Sequence, residues 1–260
     1  MKIGIIGCGN MASSIAHSIK QSIEAQLFCY DIDIDKANRF SQVYGAIRVN
    51  SEIETVGNSS IIIIAVKPKD IFDVLEKIKG GISEKIIVSI AAGISISKIK
   101  EVVGDKKIVR VMPNINISVQ KGVMGICFSE MVSADEKEKI LNLFKSMGEV
   151  IATDEKHMDA ITALFGSGPA FVAHFIESCV DAAVKLGFSR QESLNLVLTL
   201  FEGTVVNMKN NMLTTQQIKD MVTSPGGTTI EGLVEFERRA VKGAIIDGIL
   251  KAYERAKNIL

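Results

Sequence analysis

Lys2-Ile3-Gly4-Ile5-Ile6-Gly7-Cys8-Gly9-Asn10-Met11-Ala12 opens the chain and decides its fold. Lys2 to Ile6 is a short run suited to a buried strand, and beyond Ala12 apolar residues recur at helical spacing through Ile19. Between them stands G-x-G-x-x-A. Gly7 allows the tight turn, Gly9 lets a pyrophosphate approach the backbone, and Ala12 is small enough for the helix to sit close to the sheet. The glycine pattern alone says little. Its place between a strand and a helix, with a second strand (Leu27 to Tyr30) ending in Asp31, points to dinucleotide binding.

Strand and helix signals then alternate. Asp33 to Tyr44 reads as a helix, Ile61 to Ala65 as a strand and Asp70 to Lys79 as a helix. A strand at Ile86 to Ile90, a helix at Ser97 to Val103 and a strand at Ile108 to Val111 follow. Such alternation predicts an α/β fold, a Rossmann-like, doubly wound and mostly parallel sheet. Ligands of such sheets sit at the carboxyl ends of the strands. The segments there are Ala65-Val66-Lys67-Pro68, Ala91-Ala92-Gly93 and Met112-Pro113-Asn114. Lys67 has the reach for a phosphate or ribose, and equally reads as a solvated loop lysine. Asp31 favours the two ribose hydroxyls of NADH and would repel the 2′-phosphate of NADPH. Lys36 and Arg39, further along the following helix, soften that repulsion, so NADPH stays open.

From Glu155 onward the strand signal stops. Asp159 to Leu164 opens a helix that continues, across Gly166-Ser167-Gly168-Pro169-Ala170, to Lys185. Further helices fit Arg190 to Asn210, Thr215 to Val222, Thr228 to Arg239 and Val241 to Ile259. The expected organisation is a dinucleotide-binding domain over 1–153 and an all-α domain over 154–260. Leu194, Val197, Leu198, Leu200 and Phe201 wrap most of one helix's circumference, so these helices need partners on several sides. We therefore expect a homo-oligomer built through them. Glycine costs a helix interior about 1 kcal/mol and proline about 3. Gly166, Gly168 and Pro169 together therefore suggest close backbone approach to a neighbouring helix or a ligand. Ser224-Pro225-Gly226-Gly227-Thr228-Thr229 must break one helix and begin the next. Such a start presents unpaired amides and a positive dipole end, a seat for a small carboxylate.

Bulk properties narrow the field. The chain has 260 residues, 47% apolar and 5% aromatic, with thirty basic and thirty acidic residues. That composition excludes disorder and gives no support to a nucleic-acid surface or a polybasic membrane anchor. The longest wholly apolar stretch, Ile61 to Val66, is too short for a bilayer. Met1-Lys2 leads straight into a strand, unlike a signal peptide. Cys8, Cys29, Cys127 and Cys179 are scattered, as expected for reduced thiols in a cytoplasmic protein. His17, His157 and His174 form no ligand cluster with them, so no metal site is expected.

With these residues in view, the chain resembles the pyrroline-5-carboxylate reductases. The resemblance spans nearly the whole chain. It rests on Gly7-Cys8-Gly9-Asn10-Met11, Ala65-Val66-Lys67-Pro68, Arg110-Val111-Met112-Pro113-Asn114, Gly166-Ser167-Gly168-Pro169-Ala170 and Ser224-Pro225-Gly226-Gly227-Thr228-Thr229. The last two, in this order, are the most specific. Phe165, where the family usually has a small residue, and Asn116, where it has Thr or Pro, depart from the pattern. The resemblance implies reduction of 1-pyrroline-5-carboxylate to L-proline by NADPH or NADH, the last step of proline biosynthesis. It implies cofactor contacts from Ile6, Gly7, Cys8, Gly9, Asn10, Met11, Asp31, Asn50, Ala65, Val66, Lys67, Pro68 and Ala92. Substrate contacts would come from Glu155, Ser224, Gly226, Gly227, Thr228 and Thr229, with Thr229 hydrogen-bonding the ring nitrogen. An intertwined dimer through the C-terminal helices, assembled further in some members, is implied too.

Overall fold

The continuous isoleucine of Ile61–Ile64 leaves no polar face for solvent, and the chain buries it completely inside a sheet. The computed structural model describes residues 1–258. Eight strands, β1 (Lys2–Ile6), β2 (Gln26–Tyr30), β3 (Ile47–Arg48), β4 (Ile61–Ile64), β5 (Ile86–Ser89), β6 (Lys107–Met112), β7 (Gly122–Phe128) and β8 (Gly148–Ala152), form one sheet. Their order is β3-β2-β1-β4-β5-β6-β7-β8. Every neighbouring pair is parallel except β6 with β7. β3, β7 and β8 carried no clear strand signal. β3 is a two-residue edge, and β7 holds Gly122 and Gly125, which break the apolar run.

Helices cover both faces, as a buried parallel sheet requires. On one face α1 (Asn10–Ser22), α2 (Ile34–Tyr44) and α6 (Ala134–Lys145) bring Ile15, Ile19, Phe40 and Phe144 against Ile3, Ile5, Ile61 and Ile63. On the other, α4 (Ile71–Ile78) and α5 (Ile96–Val103) bring Leu75 and Ile99 against Ile62, Ile64 and Ile87. The short α3 (Glu52–Gly57) lies between β3 and β4 in the chain. Local chemistry sets the ends. Asp33 caps α2 by accepting from the Asp35 and Lys36 amides, and Gly45 ends it in the left-handed conformation. Ser133 and Glu136 form a capping box on α6.

By compactness the chain divides into two units. The first is Met1–Ser167 together with the residues from Ala252 on; the second is Gly168–Lys251. The first includes α7 (Met158–Ile161), which runs into a π turn at Thr162–Gly166. The second contains α8 (Gly168–Lys185), α9 (Arg190–Asn210), α10 (Thr215–Met221) and α11 (Thr228–Arg238), with most of α12 (Val241–Lys257). Ile259, expected in that last helix, lies outside the described residues. α8 packs on α9, and Ser189 with Glu192 and Thr214 with Gln217 box the starts of α9 and α10. Only Val180, Ser193 and Val197 are buried among the described residues of this unit, while Leu196, Leu200, Phe236 and Leu250 are exposed. The helical run Glu155–Lys185 is long and apolar enough, by length and composition only, to cross a membrane. The π turn interrupts it, and its first part is fixed to the sheet by Arg110.

Candidate active site

Strand register brings Tyr30, Ile6, Ile64, Ser89 and Arg110 into one row across the sheet. The ladder runs one residue further: Gly7 N donates to Tyr30 O at 2.8 Å, Ala65 N to Ile6 O at 2.8 Å, and Ile90 N to Ile64 O at 3.3 Å. The segments Gly7–Asn10, Ala65–Pro68 and Ala91–Gly93 therefore leave the sheet at one edge. Strand order reverses between β1 and β4 at that edge, where a doubly wound sheet binds its ligand.

This edge fits a dinucleotide. Gly7 has φ +95°, and a Cβ there would stand 2.8 Å from the Ala65 carbonyl oxygen, so the turn admits only glycine. Gly9 caps α1 without a side-chain hydrogen bond, and a Cβ on it would meet nothing within 4 Å. No side chain caps the first amides of α1, which lie at a positive dipole end, as a pyrophosphate site requires. Ile6 is buried beneath this turn and Met11 half-buried beside it.

Asp31 stands at the end of β2 as expected, and both its oxygens are engaged. Oδ2 accepts from the Cys8 amide at 2.7 Å and Oδ1 from the Asp33 amide at 2.9 Å. Lys36 pairs with Asp33 at 3.0 Å. Lys36 and Arg39, with Gly9, Asn10, Ser13 and Tyr44, line a recess of about 350 Å³. Asn50 follows β3, its amide and side-chain nitrogen donating to Glu54 Oε2. Lys67 is exposed, and Ala92 is half-buried beside Gly93, which has φ +76°. The Cys8 thiol is pushed up, chiefly by its hydrogen bond with Cys29 and then by burial. Burial first, and then the Glu155 charge, push Cys127 up to about 12. Both shifts disfavour the thiolate.

Sequence reading missed the ion cluster on β6. Arg110 is 4% exposed, and its Nη1 donates to Glu155 Oε1 at 3.1 Å. Its Nη2 lies 3.6 Å from Asp159 Oδ1, an ion pair too long for a hydrogen bond. Glu155 Oε1 also accepts from the Ile96 amide, the first of α5, at 2.6 Å. The signal was a lone arginine inside an otherwise apolar strand, Ile108-Val109-Arg110-Val111-Met112.

The turn expected to seat a carboxylate lies in the second unit. α10 ends at Met221, Gly226 turns with φ +67°, and Gly227 precedes α11 as an N-cap that makes no side-chain bond. Thr228 and Thr229 are therefore the first two residues of an eleven-residue helix whose opening amides no side chain caps. A Cβ on Gly227 would stand 2.4 Å from Ser224 Oγ, so glycine brings that hydroxyl against the turn.

A mostly parallel sheet with a glycine turn feeding an uncapped helix at its switch point defines a dinucleotide-binding oxidoreductase domain. Residues 2–93 match the family model described as NADP oxidoreductase, coenzyme F420-dependent, and residues 155–259 match that of pyrroline-5-carboxylate reductase dimerisation. The pyrroline-5-carboxylate reductase of Aquifex aeolicus is 36% identical over 260 residues, covering 100% of this chain and 97% of its own. That of Escherichia coli is 31% identical, covering 99% and 98%. Among solved structures, Plasmodium falciparum pyrroline carboxylate reductase with NADP bound superposes with a TM-score of 0.91 at 36% identity, covering 99% of this chain and 97% of that one. The chain belongs to the pyrroline-5-carboxylate reductase family.

Proposed function

We propose that this protein reduces 1-pyrroline-5-carboxylate to L-proline with NADPH or NADH, the last step of proline biosynthesis. The observation that carries this reading is the uncapped start of α11 behind Gly226-Gly227. In a chain with a dinucleotide edge and full-length relatives that bear this activity in their names, such a start is suited to the substrate's one carboxylate.

Residues 1–153 would hold the cofactor and 154–260 the substrate and the dimer contacts. The amides of Thr228 and Thr229 clamp the carboxylate, with Ser224, Gly226 and Gly227 shaping the turn. Glu155 is a further substrate contact by family resemblance; here its carboxylate serves Arg110 and Ile96. When bound, the reduced nicotinamide supplies the hydride that goes to the C=N carbon. The Thr229 hydroxyl orients the ring nitrogen by a hydrogen bond, and the proton on that nitrogen arrives with the substrate or through water. Fixing both ends of a small ring removes much of its orientational freedom before reaction.

The exposed apolar surface of the second unit supports a homodimer through the C-terminal helices, with a larger assembly of dimers as its extension. Phe171, Phe175, Phe236, Val241, Ile245 and Ile249 line an apolar cleft of about 620 Å³ in that unit. The enzyme would work in the cytoplasm on a small-molecule substrate, with neither nucleic acid nor membrane as partner. Mixing protein, 1-pyrroline-5-carboxylate and NADPH or NADH tests the reading: absorbance at the nicotinamide band should fall as proline forms. No proline with either cofactor would overturn it.

A further inference from the structure

Three alternate residues along β6 and its extension reach one connector. Arg110 holds Glu155 and Asp159. The Met112 methyl group lies 2.9 Å from where a Cβ on Gly166 would stand. Asn114 Nδ2 donates to the Phe165 carbonyl oxygen at 3.0 Å. Arg110 and Asn114 are only 4% and 5% exposed, unusual burial for such polar side chains.

What they grip is not an ordinary helix. Thr162–Gly166 is a π turn, closed by the Ser167 amide donating to the Thr162 carbonyl at 3.0 Å. π turns are rare, and they persist where their surroundings hold them. The grip also has a definite place. Residue 110 closes the row of parallel strand ends, on the side of the switch point away from β2. Asp31 places the adenosine half of a dinucleotide beyond β2, so the nicotinamide half runs toward β4, β5 and β6.

We propose that Asn114, gripping the Thr162–Ser167 π turn, and Arg110, anchoring the Glu155–Asp159 segment that leads into it, are positioning residues at the nicotinamide end of the cofactor site, setting ring alignment rather than cofactor affinity. The inference rests on the functional reading above for its substrate, and on the sheet edge alone for its cofactor. Arg110 neutralises two carboxylates at once, so its outright removal risks unfolding through uncompensated charge. Asn114 separates the roles cleanly. Its Oδ1 accepts from the Asn116 amide while its Nδ2 grips Phe165, and Asn114→Ser keeps an acceptor for the first, is too short for the second and brings no charge into the site.

The test compares wild type with Asn114→Ser and Arg110→Lys. The dissociation constant of NADPH, the emission of bound NADPH, kcat and the thermal midpoint are measured for each. We expect kcat to fall about tenfold or more. The emission of the bound nicotinamide should change while NADPH affinity stays within about twofold and the midpoint within a few degrees. A folded Asn114→Ser variant with wild-type kcat and wild-type emission would overturn the proposal. So would losses of affinity and midpoint in proportion to kcat, which mark a merely structural prop. A wild type that binds NADPH without turnover would sink the substrate assignment alone, and the emission would still decide this proposal.

Discussion

The Cys8 amide donates to Asp31 Oδ2 at 2.7 Å, so the carboxylate that follows β2 also ties down the glycine turn that opens α1. In the proposed function, cofactor choice and loop geometry share this one side chain. Asp31→Ser should weaken NADH more than tenfold, because ribose contact and loop tether are lost together. NADPH should suffer less, since the variant removes a negative charge from the recess that Lys36 and Arg39 line. Binding titrations with both cofactors check this. An unchanged ratio of the two affinities would dissociate Asp31 from selectivity.

Thr229 is the second residue of α11, where its amide and hydroxyl lie in the same turn. Thr229→Val keeps the shape and the amide but removes the hydroxyl. Turnover should drop well over tenfold while cofactor affinity holds, the signature of an interaction made in the transition state. Steady-state kinetics with a parallel cofactor titration decides it, and unaltered turnover would remove Thr229 from the chemistry.

Gly148 faces Gly122 across β7 and β8 with φ +142°, and a Cβ on it would stand 2.1 Å from the Gly122 carbonyl oxygen. Gly148→Ala should cost about 1–3 kcal/mol from backbone conformation alone, with the clash adding to it. Chemical denaturation measures the loss. Equal stability of the two proteins would contradict this geometry.

Glu136 sits below the ordinary carboxylate range, chiefly through its bond to Lys107 at 2.8 Å and then through the Ser133 amide. A depressed folded pKa means stability that is complete above the unfolded value and lost as pH falls through the folded one. Wild type should exceed Glu136→Gln by about 0.5–1 kcal/mol at neutral pH. That gap should close below about pH 4. A gap independent of pH would show that charge has no part in it.

Leu200 is 61% exposed on α9, within a helix unit that buries little of its own apolar surface. Leu200→Glu should shift the protein toward monomer in sedimentation or light scattering, because a charge in an apolar interface core is costly. An unaltered mass distribution would exclude that face of α9 from assembly.

Much of the fold was legible in order. The glycine turn, the continuous isoleucine of β4 and the capping residues act over a few positions, and the elements they define fall within three residues of their expected bounds, α1 ending at Ser22 rather than Ile19. The helix α9 runs over Arg190–Asn210 as its pattern said, because a capping box starts it and a long apolar repeat carries it. β7 and β8 escaped notice because Gly122, Gly125 and Gly148 serve close packing, not strand propensity. Gly125, for one, leaves room for Ile161 and Met158 of α7.

The sequence by itself determined the class of most elements, though not of β3, β7 and β8, together with the glycine turn and the late helix start, since these depend on neighbours in the chain. Only the tertiary structure decided that Asp31 tethers Cys8, that Glu155 serves Arg110 and Ile96, and that Asn114 grips the Phe165 carbonyl. Those bonds join residues from 23 to 59 positions apart. No local pattern encodes such a pairing; it arises when strand register sets which side chains share an edge.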